Sequence, residues 1–158
     1  MSVEEGTVSW ARLDEHGGVR TGELSRPRRV RATARQAELL HAAVELVLGP
    51  GGDGATARAI TLQDVCPDPL VHALRAGLPR PAALDRQIDG GSSWSQLLEL
   101  EEGEELVSVS SVASIEERRT SRGARLVRTI FLTELVRPGT GERVGWCTGT
   151  SLDLEVAR

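Results

Sequence analysis

The chain has 158 residues, 39% hydrophobic and 27% charged, which suits one soluble domain with a sizeable core and is too short for two ordinary ones. Its net charge of −4 gives no global pull towards nucleic acid or an anionic membrane. With three Trp, one Phe and no Tyr it lacks stacking platforms for single-stranded nucleic acid, and with no Lys it has no Schiff-base or phosphate-loop lysine.

Residues 1–27 read as an irregular N-terminal segment. Val8–Leu13 could form a short strand there, and Gly17-Gly18 breaks it. Arg26, Arg28, Arg29 and Arg31 make a local basic cluster. It reads as a solvated strand entry, or as a patch for a phosphorylated partner or cofactor. Thr33 and Gln36 form a capping box, and Ala37, Leu40, Val44 and Val47 recur at helical spacing with Leu48 beside them. The pattern predicts one amphipathic helix over residues 34–48. Gly49-Pro50-Gly51-Gly52 stops it and begins a flexible loop over 49–58.

Ala59–Leu62 could be a short strand, and Asp68-Pro69 can open a short helix that Gly77 ends. From Ile88 the pattern changes to strands: 92–100, 104–118, 124–137 and 143–156. The 124–137 strand is apolar on both faces, Leu126, Ile130 and Leu132 on one and Val127, Phe131 and Leu135 on the other. Part of the outer sheet surface or edge is therefore expected to meet a partner. In the last strand Val144, Trp146, Thr148, Thr150, Leu152 and Leu154 face one way. Gly145, Cys147, Gly149, Ser151 and Asp153 face the other. Turn sequences at 120–123 and 138–141 join antiparallel neighbours. The expected fold is α+β: a long, curved antiparallel sheet wrapped round one central helix, residues 34–48, as a single domain over 1–158.

Several strings resemble the FAS1-like dehydratase domain, the N-terminal hot-dog half of MaoC-like proteins and their mesaconyl-CoA-hydratase-like relatives. They are Asp89-Gly90-Gly91-Ser92-Ser93-Trp94, Leu98 to Leu106, Val112 to Arg118 with Ser121-Arg122-Gly123, Thr129 to Glu134, and Gly141 to Val144. Together they span roughly residues 78–154. Leu100 stands where the family commonly has Pro, and Glu104 where it has Asp. The resemblance implies a hot-dog fold, acyl thioesters of coenzyme A or acyl carrier protein as substrates, and reversible hydration of a 2-enoyl thioester. It implies no cofactor. That chemistry needs an Asp and a His, one group activating water for attack at C3 and the pair handling the proton at C2. Backbone N–H groups at the start of the central helix can polarise the thioester carbonyl.

The nearest segment here is Asp64-Val65-Cys66-Pro67-Asp68-Pro69-Leu70-Val71-His72. Asp68 and His72 are the catalytic candidates, but they are one position too close and the Asn-Pro element is missing. The segment also follows the expected central helix, whereas the family's signature leads into it. Asp89, Gly90, Gly91, Trp94 and His41 are the substrate-binding candidates. His16 reads as solvated, and Glu101 to Glu105 as a solvated acidic turn. The three His, with Cys66 and Cys147, give no metal-ligand spacing, and the two Cys no disulfide framework. Ser92 and Ser93 lack His–Asp partners for an acyl-enzyme mechanism.

The expectation is a subunit of a MaoC-like (R)-3-hydroxyacyl-thioester dehydratase, the non-catalytic, tunnel-forming half of a heterodimer whose partner carries the Asp and His. The other readings are a homodimeric hot-dog thioesterase, with Glu38 or Glu45 as its carboxylate, and a non-enzymatic acyl-thioester-binding module. No N-terminal apolar run precedes a cleavage site and no stretch nears ~18 apolar residues, so a cytoplasmic protein is expected.

Overall fold

The computed structural model describes residues 9–34, 39, 42–43, 46–47, 49, 59–81 and 84–155. Among them the chain is mostly antiparallel sheet with two short helices, an α+β arrangement. In chain order these are β1 (Ala11–Leu13), β2 (Glu15–His16), β3 (Val19–Arg20), β4 (Arg28–Arg31), α1 (Leu62–Val65), α2 (Pro69–Arg75), β5 (Arg86–Gln96), β6 (Glu105–Arg119), β7 (Arg125–Val136) and β8 (Arg143–Leu154). The main sheet runs β6-β7-β8-β5, with β1 and β4 sharing the outer side of β6. β2 and β3 form a separate hairpin whose Val19 is buried in the core. The N-terminal segment, expected to be irregular, thus contributes edge strands.

β6, β7 and β8 fall within a residue or two of where alternation and turn chemistry put them. The strand before them lies earlier than expected. Gly90-Gly91 does not interrupt it, because a bulge between Asp89 and Gly91 keeps the ladder with β8 running, with Gly91 at φ 110°. Further register shifts at Val112/Ser114 and Leu135/Val136 are the kind of irregularity that bends and twists a long sheet.

The inner face of β8 is Gly145, Cys147, Gly149, Ser151 and Asp153, all buried. Trp146, Thr148, Thr150, Leu152 and Leu154 are only half-buried on the outer face. The small side chains let helices lie directly on the strand. A Cβ on Gly149 would stand 2.7 Å from Leu70 Cα and 2.8 Å from Pro69 C, and one on Gly145 would collide with Leu62 Cδ1 and the Ser95 carbonyl. α1 therefore sits over Gly145 and the start of α2 over Gly149. Two core clusters follow. One gathers Leu62, Cys66, Leu106, Leu135, Val144 and Cys147; the other gathers Leu70, Ala73, Leu78, Val112, Ile115, Val127 and Phe131.

The inner face is thus covered by 62–75 where the sequence suggested 34–48. Leu39, Ala42, Ala43, Leu46 and Val47 are helical, but all are exposed; Val47, a member of the expected buried stripe, is 80% exposed and Leu46 is 88% exposed. The remaining stripe residues, Ala37, Leu40, Val44 and Leu48, lie outside the described residues, as do 50–58 of the expected flexible loop. Among the described residues of the segment, Ala34 at its start packs against a core cluster.

Ion pairs fasten the sheet's ends. Arg137 donates to Glu104 (2.6 Å), Glu142 (2.8 Å) and the Glu99 carbonyl (3.0 Å), tying the β7–β8 turn to the turn before β6. Arg125 forks onto Glu117 at 2.7 and 2.9 Å. The 101–105 turn is paired in place of being simply solvated: Glu102 accepts from the Ala34 N–H and Glu105 from Arg29. On the outer face Trp10 lies under the guanidiniums of Arg118 and Arg128, 4.6 and 4.0 Å from its ring centre.

The helix–strand contact makes a sharp prediction. Gly149→Ala forces a methyl against the backbone of α2, which has no side-chain end to move aside. We expect a loss of about 3 kcal/mol or a failure to fold, measured by denaturant unfolding. Gly90→Ala meets only side-chain carbons of Thr150 and Leu152 and should cost clearly less.

Candidate functional site

Asp68 and Pro69 begin α2 as the sequence suggested, with Pro at the first helical position, where its missing N–H costs nothing. Asp68 is the N-cap, and its Oδ1 accepts the Val71 N–H at 3.0 Å. One turn on, His72 turns towards the sheet, its Nε2 2.9 Å from Ser108 Oγ on β6. Ser108 Oγ also lies 3.4 Å from the Arg28 carbonyl on β4, to which it donates. The side chains of Asp68 and His72 are therefore committed to different partners, and only the backbone links the two residues, through the His72 N–H to the Asp68 carbonyl at 2.9 Å. The segment does lead into the helix on the sheet, contrary to the sequence-based placement.

Behind His72 lies a buried sulfur–hydroxyl row. Cys66 and Cys147 are both free, buried thiols in one core cluster. The Trp94 indole donates to the Cys66 carbonyl (2.8 Å), fixing Trp94 over Cys147, its cross-strand neighbour. Its ring is thus a packing element of this row. The Cys66 thiol is held well above its usual range by its hydrogen bond to Cys147 and by burial, with nearby His72 opposing. Cys147 is shifted down by that same hydrogen bond, against burial and with help from Thr133. Thr133 Oγ1 lies 2.7 Å from Ser110 Oγ. The row brings together an imidazole, two thiols and three hydroxyls.

A second polar group lies further along the same face. Thr129 and Ser151 are cross-strand neighbours and Asp153 follows on β8; all are buried. Thr129 Oγ1, Ser151 Oγ and His16 Nε2 have no hydrogen-bond partner. Burial pushes the Asp153 carboxyl above the usual carboxylate range, opposed by a side-chain hydrogen bond with Gln87 and by the charges of His16 and Arg80. His16, expected to be solvated, is half-buried with its Nε2 fully enclosed, because the β2–β3 hairpin folds against the end of the sheet.

Asp89 is exposed on the edge strand, and its Oδ1 accepts the Gly91 N–H at 2.8 Å, which closes the bulge. Gly90 lies against Thr150 and Leu152 on the neighbouring strand. Asp89, Gly90 and Gly91 thus shape the edge of β5. His41, Glu38 and Glu45 lie outside the described residues. Among the described residues no group of three or more His, Cys, Asp or Glu converges as metal ligands, and no helix is long and apolar enough to cross a membrane.

No protein-family model matches the chain, and no curated protein matches it. What it does must therefore be argued from the inner face itself.

Sequence reasoning found the Asp68–His72 segment and missed the Thr129–Ser151–Asp153 group. Alternation assigned these residues to one face of their strands, but polar side chains gave no sign that this face is the buried one. The glycines at 145 and 149, spaced for helix approach, were the available signal.

Two outcomes follow. The folded-state pKa of Asp153 lies above its unfolded value. Its contribution to stability is therefore fully present below the unfolded value, about 4, and is lost as pH rises through the folded one. Asp153→Asn should raise the unfolding midpoint at neutral pH, and the gain should vanish in acid; a midpoint lowered at neutral pH would contradict the burial argument. For the thiols, native protein should resist alkylation at both Cys66 and Cys147, and denaturant should release both together. Rapid labelling of either in the native state would contradict their burial.

Proposed function

We propose that this chain is a hot-dog domain and acts as the non-catalytic half of a MaoC-like dehydratase, binding an acyl thioester while a partner subunit supplies the acid and base. Three features support the fold reading. The two sheet edges are the N-terminal strands and β5, the covering helices come between them in the chain, and the last three strands fill the centre in order. The observation that carries the functional reading is the separation of Asp68 from His72. Asp68 is spent capping α2 and His72 is engaged with Ser108. Hydration of an enoyl thioester needs a base poised on water and an acid poised on C2, and this pair serves neither task together.

The partner is expected along β5. Its outer side is free of strand neighbours among the described residues, and an unpaired edge of this length is a template for another strand. Asp89 and Gly91 shape that edge.

The test is activity with and without a hot-dog subunit that carries an intact Asp/His signature. The chain alone should leave a 3-hydroxyacyl thioester unchanged, and the mixture should dehydrate it and run as a heterodimer in native mass spectrometry. In that mixture Asp68→Asn should retain activity within a few-fold. Dehydration by the isolated chain that disappears in His72→Ala would overturn the non-catalytic assignment. A stable homodimer that hydrolyses the thioester would point to the thioesterase reading.

A further inference from the structure

Several arginines of this chain are matched by acids, and three that stand together are not. Arg20, Arg29, Arg125, Arg128, Arg137 and Arg143 each hold a glutamate. The side chains of Arg26, Arg28 and Arg75 hold no carboxylate and donate no hydrogen bond among the described residues. The sequence around them offers no counter-charge either, since residues 24–34 and 69–84 contain no Asp or Glu. Like charges left together without counter-ions repel, and an anion that joins them relieves that repulsion.

The fold brings these three to one place at the surface. The Arg26 N–H donates to the Ala76 carbonyl at 3.1 Å, so Arg26 lies beside the end of α2, where Arg75 is the last residue. Pro27 keeps Arg26 extended, and Arg28 follows as the first residue of β4, opposite Ser108. Ser108 holds His72, one turn before Ala76 along α2. Arg28 shares its face of β4 with Val30, which packs against the core, so it points to the side that carries α2. Arg29 and Arg31 point away. Same-face strand residues stand roughly 7 Å apart. Arg26, Arg28 and Arg75 therefore line the seam between β4 and α2, Arg26 and Arg75 exposed and Arg28 half-buried.

We propose that Arg26, Arg28 and Arg75 form a binding site for the phosphate groups of a nucleotide, those of coenzyme A, so that coenzyme A is the carrier of the thioester. The guanidinium fork matches the oxygens of a phosphate, and each such bond is charge-assisted on both sides. A phosphate monoester brings about two negative charges near neutral pH, which suits a cluster of arginines with no acid beside it. Three arginines along one seam fit a small polyanion better than the broad face of an acidic protein. The link to a thioester rests on the acyl-thioester reading above; the phosphate site rests on the arginines alone.

The experiment titrates the full chain with adenosine 3′,5′-bisphosphate, and with one acyl chain as its pantetheine, 4′-phosphopantetheine and coenzyme A thioesters. The bisphosphate should bind, and the combined variant Arg26→Gln, Arg28→Gln, Arg75→Gln should weaken it about tenfold or more. The coenzyme A ester should bind about tenfold more tightly than the pantetheine ester, an advantage that fades with added salt and disappears in the variant. Removing like charges should leave the variant's unfolding midpoint unchanged or raised, so the loss is not one of folding. Arg29→Gln, on the opposite face, should keep the advantage; an equal loss there would reduce the effect to general charge attraction and overturn the site. Equal binding of all three thioesters, with no binding of the bisphosphate, would overturn the site and leave the acyl-thioester reading standing. A phosphopantetheine ester as tight as the coenzyme A ester would overturn the choice of carrier. Bisphosphate bound through the arginines, with no affinity added by any acyl chain, would keep the site and overturn the thioester reading.

Discussion

The contact between the start of α2 and Gly149 is the constraint on which the rest of the structure depends. A helix backbone can approach a strand this closely only where the strand offers no side chain, and β8 offers glycine at 145 and 149 on its inner face. That choice decides which face of the sheet is inside. It draws Cys147, Ser151 and Asp153 into the interior with the glycines and leaves Trp146, Leu152 and Leu154 half-covered on the other side. It also sets the position of His72, one turn along α2, against Ser108 on β6. The polarity of the interior follows from helix approach and not from hydrophobic patterning.

Much of the sheet was legible in the sequence. β6, β7 and β8 alternate over many residues and are joined by glycine turns, with Gly123, Gly139 and Gly141 all at positive φ, so both their existence and their pairing follow from local chemistry. β5 begins earlier than its sequence suggests because Gly90-Gly91 has the composition of a turn, and in the structure it is a bulge inside a continuing ladder. Length does not decide which helix covers the sheet. Residues 34–48 have the longer periodic pattern, but α1 and α2 have the partners: Leu62 and Leu70 fit where Gly145 and Gly149 leave room. Helix length says little about burial when a short helix can dock this closely.

The candidate site was half legible, for the same reason. The Asp68–His72 segment was visible as a string of chemically capable residues. Whether the two groups meet depends on the helix that separates them, and the cap uses the aspartate before it can serve any substrate. The Thr129–Ser151–Asp153 group could not be read, because an inward-facing Asp in an amphipathic strand has the same sequence signature as an outward-facing one. Its burial is a consequence of the tertiary contact at Gly149. The account of function inherits this order of dependence: fold from the helix–strand contact, ligand surface from the fold, and division of labour with a partner from what Asp68 and His72 are already doing.

Native-state hydrogen exchange followed residue by residue tests the helix–strand contact most directly. If α2 is the element that seals the inner face, the His72 and Ala76 amides, bonded to the Asp68 and His72 carbonyls, exchange only with global unfolding, together with the centre of β7 and β8. The amides of Leu39, Leu46 and Val47 then exchange through local opening, orders of magnitude faster. Fast exchange in α2 with global protection at Leu46 and Val47 would contradict the account and restore the longer helix as the sheet's cover.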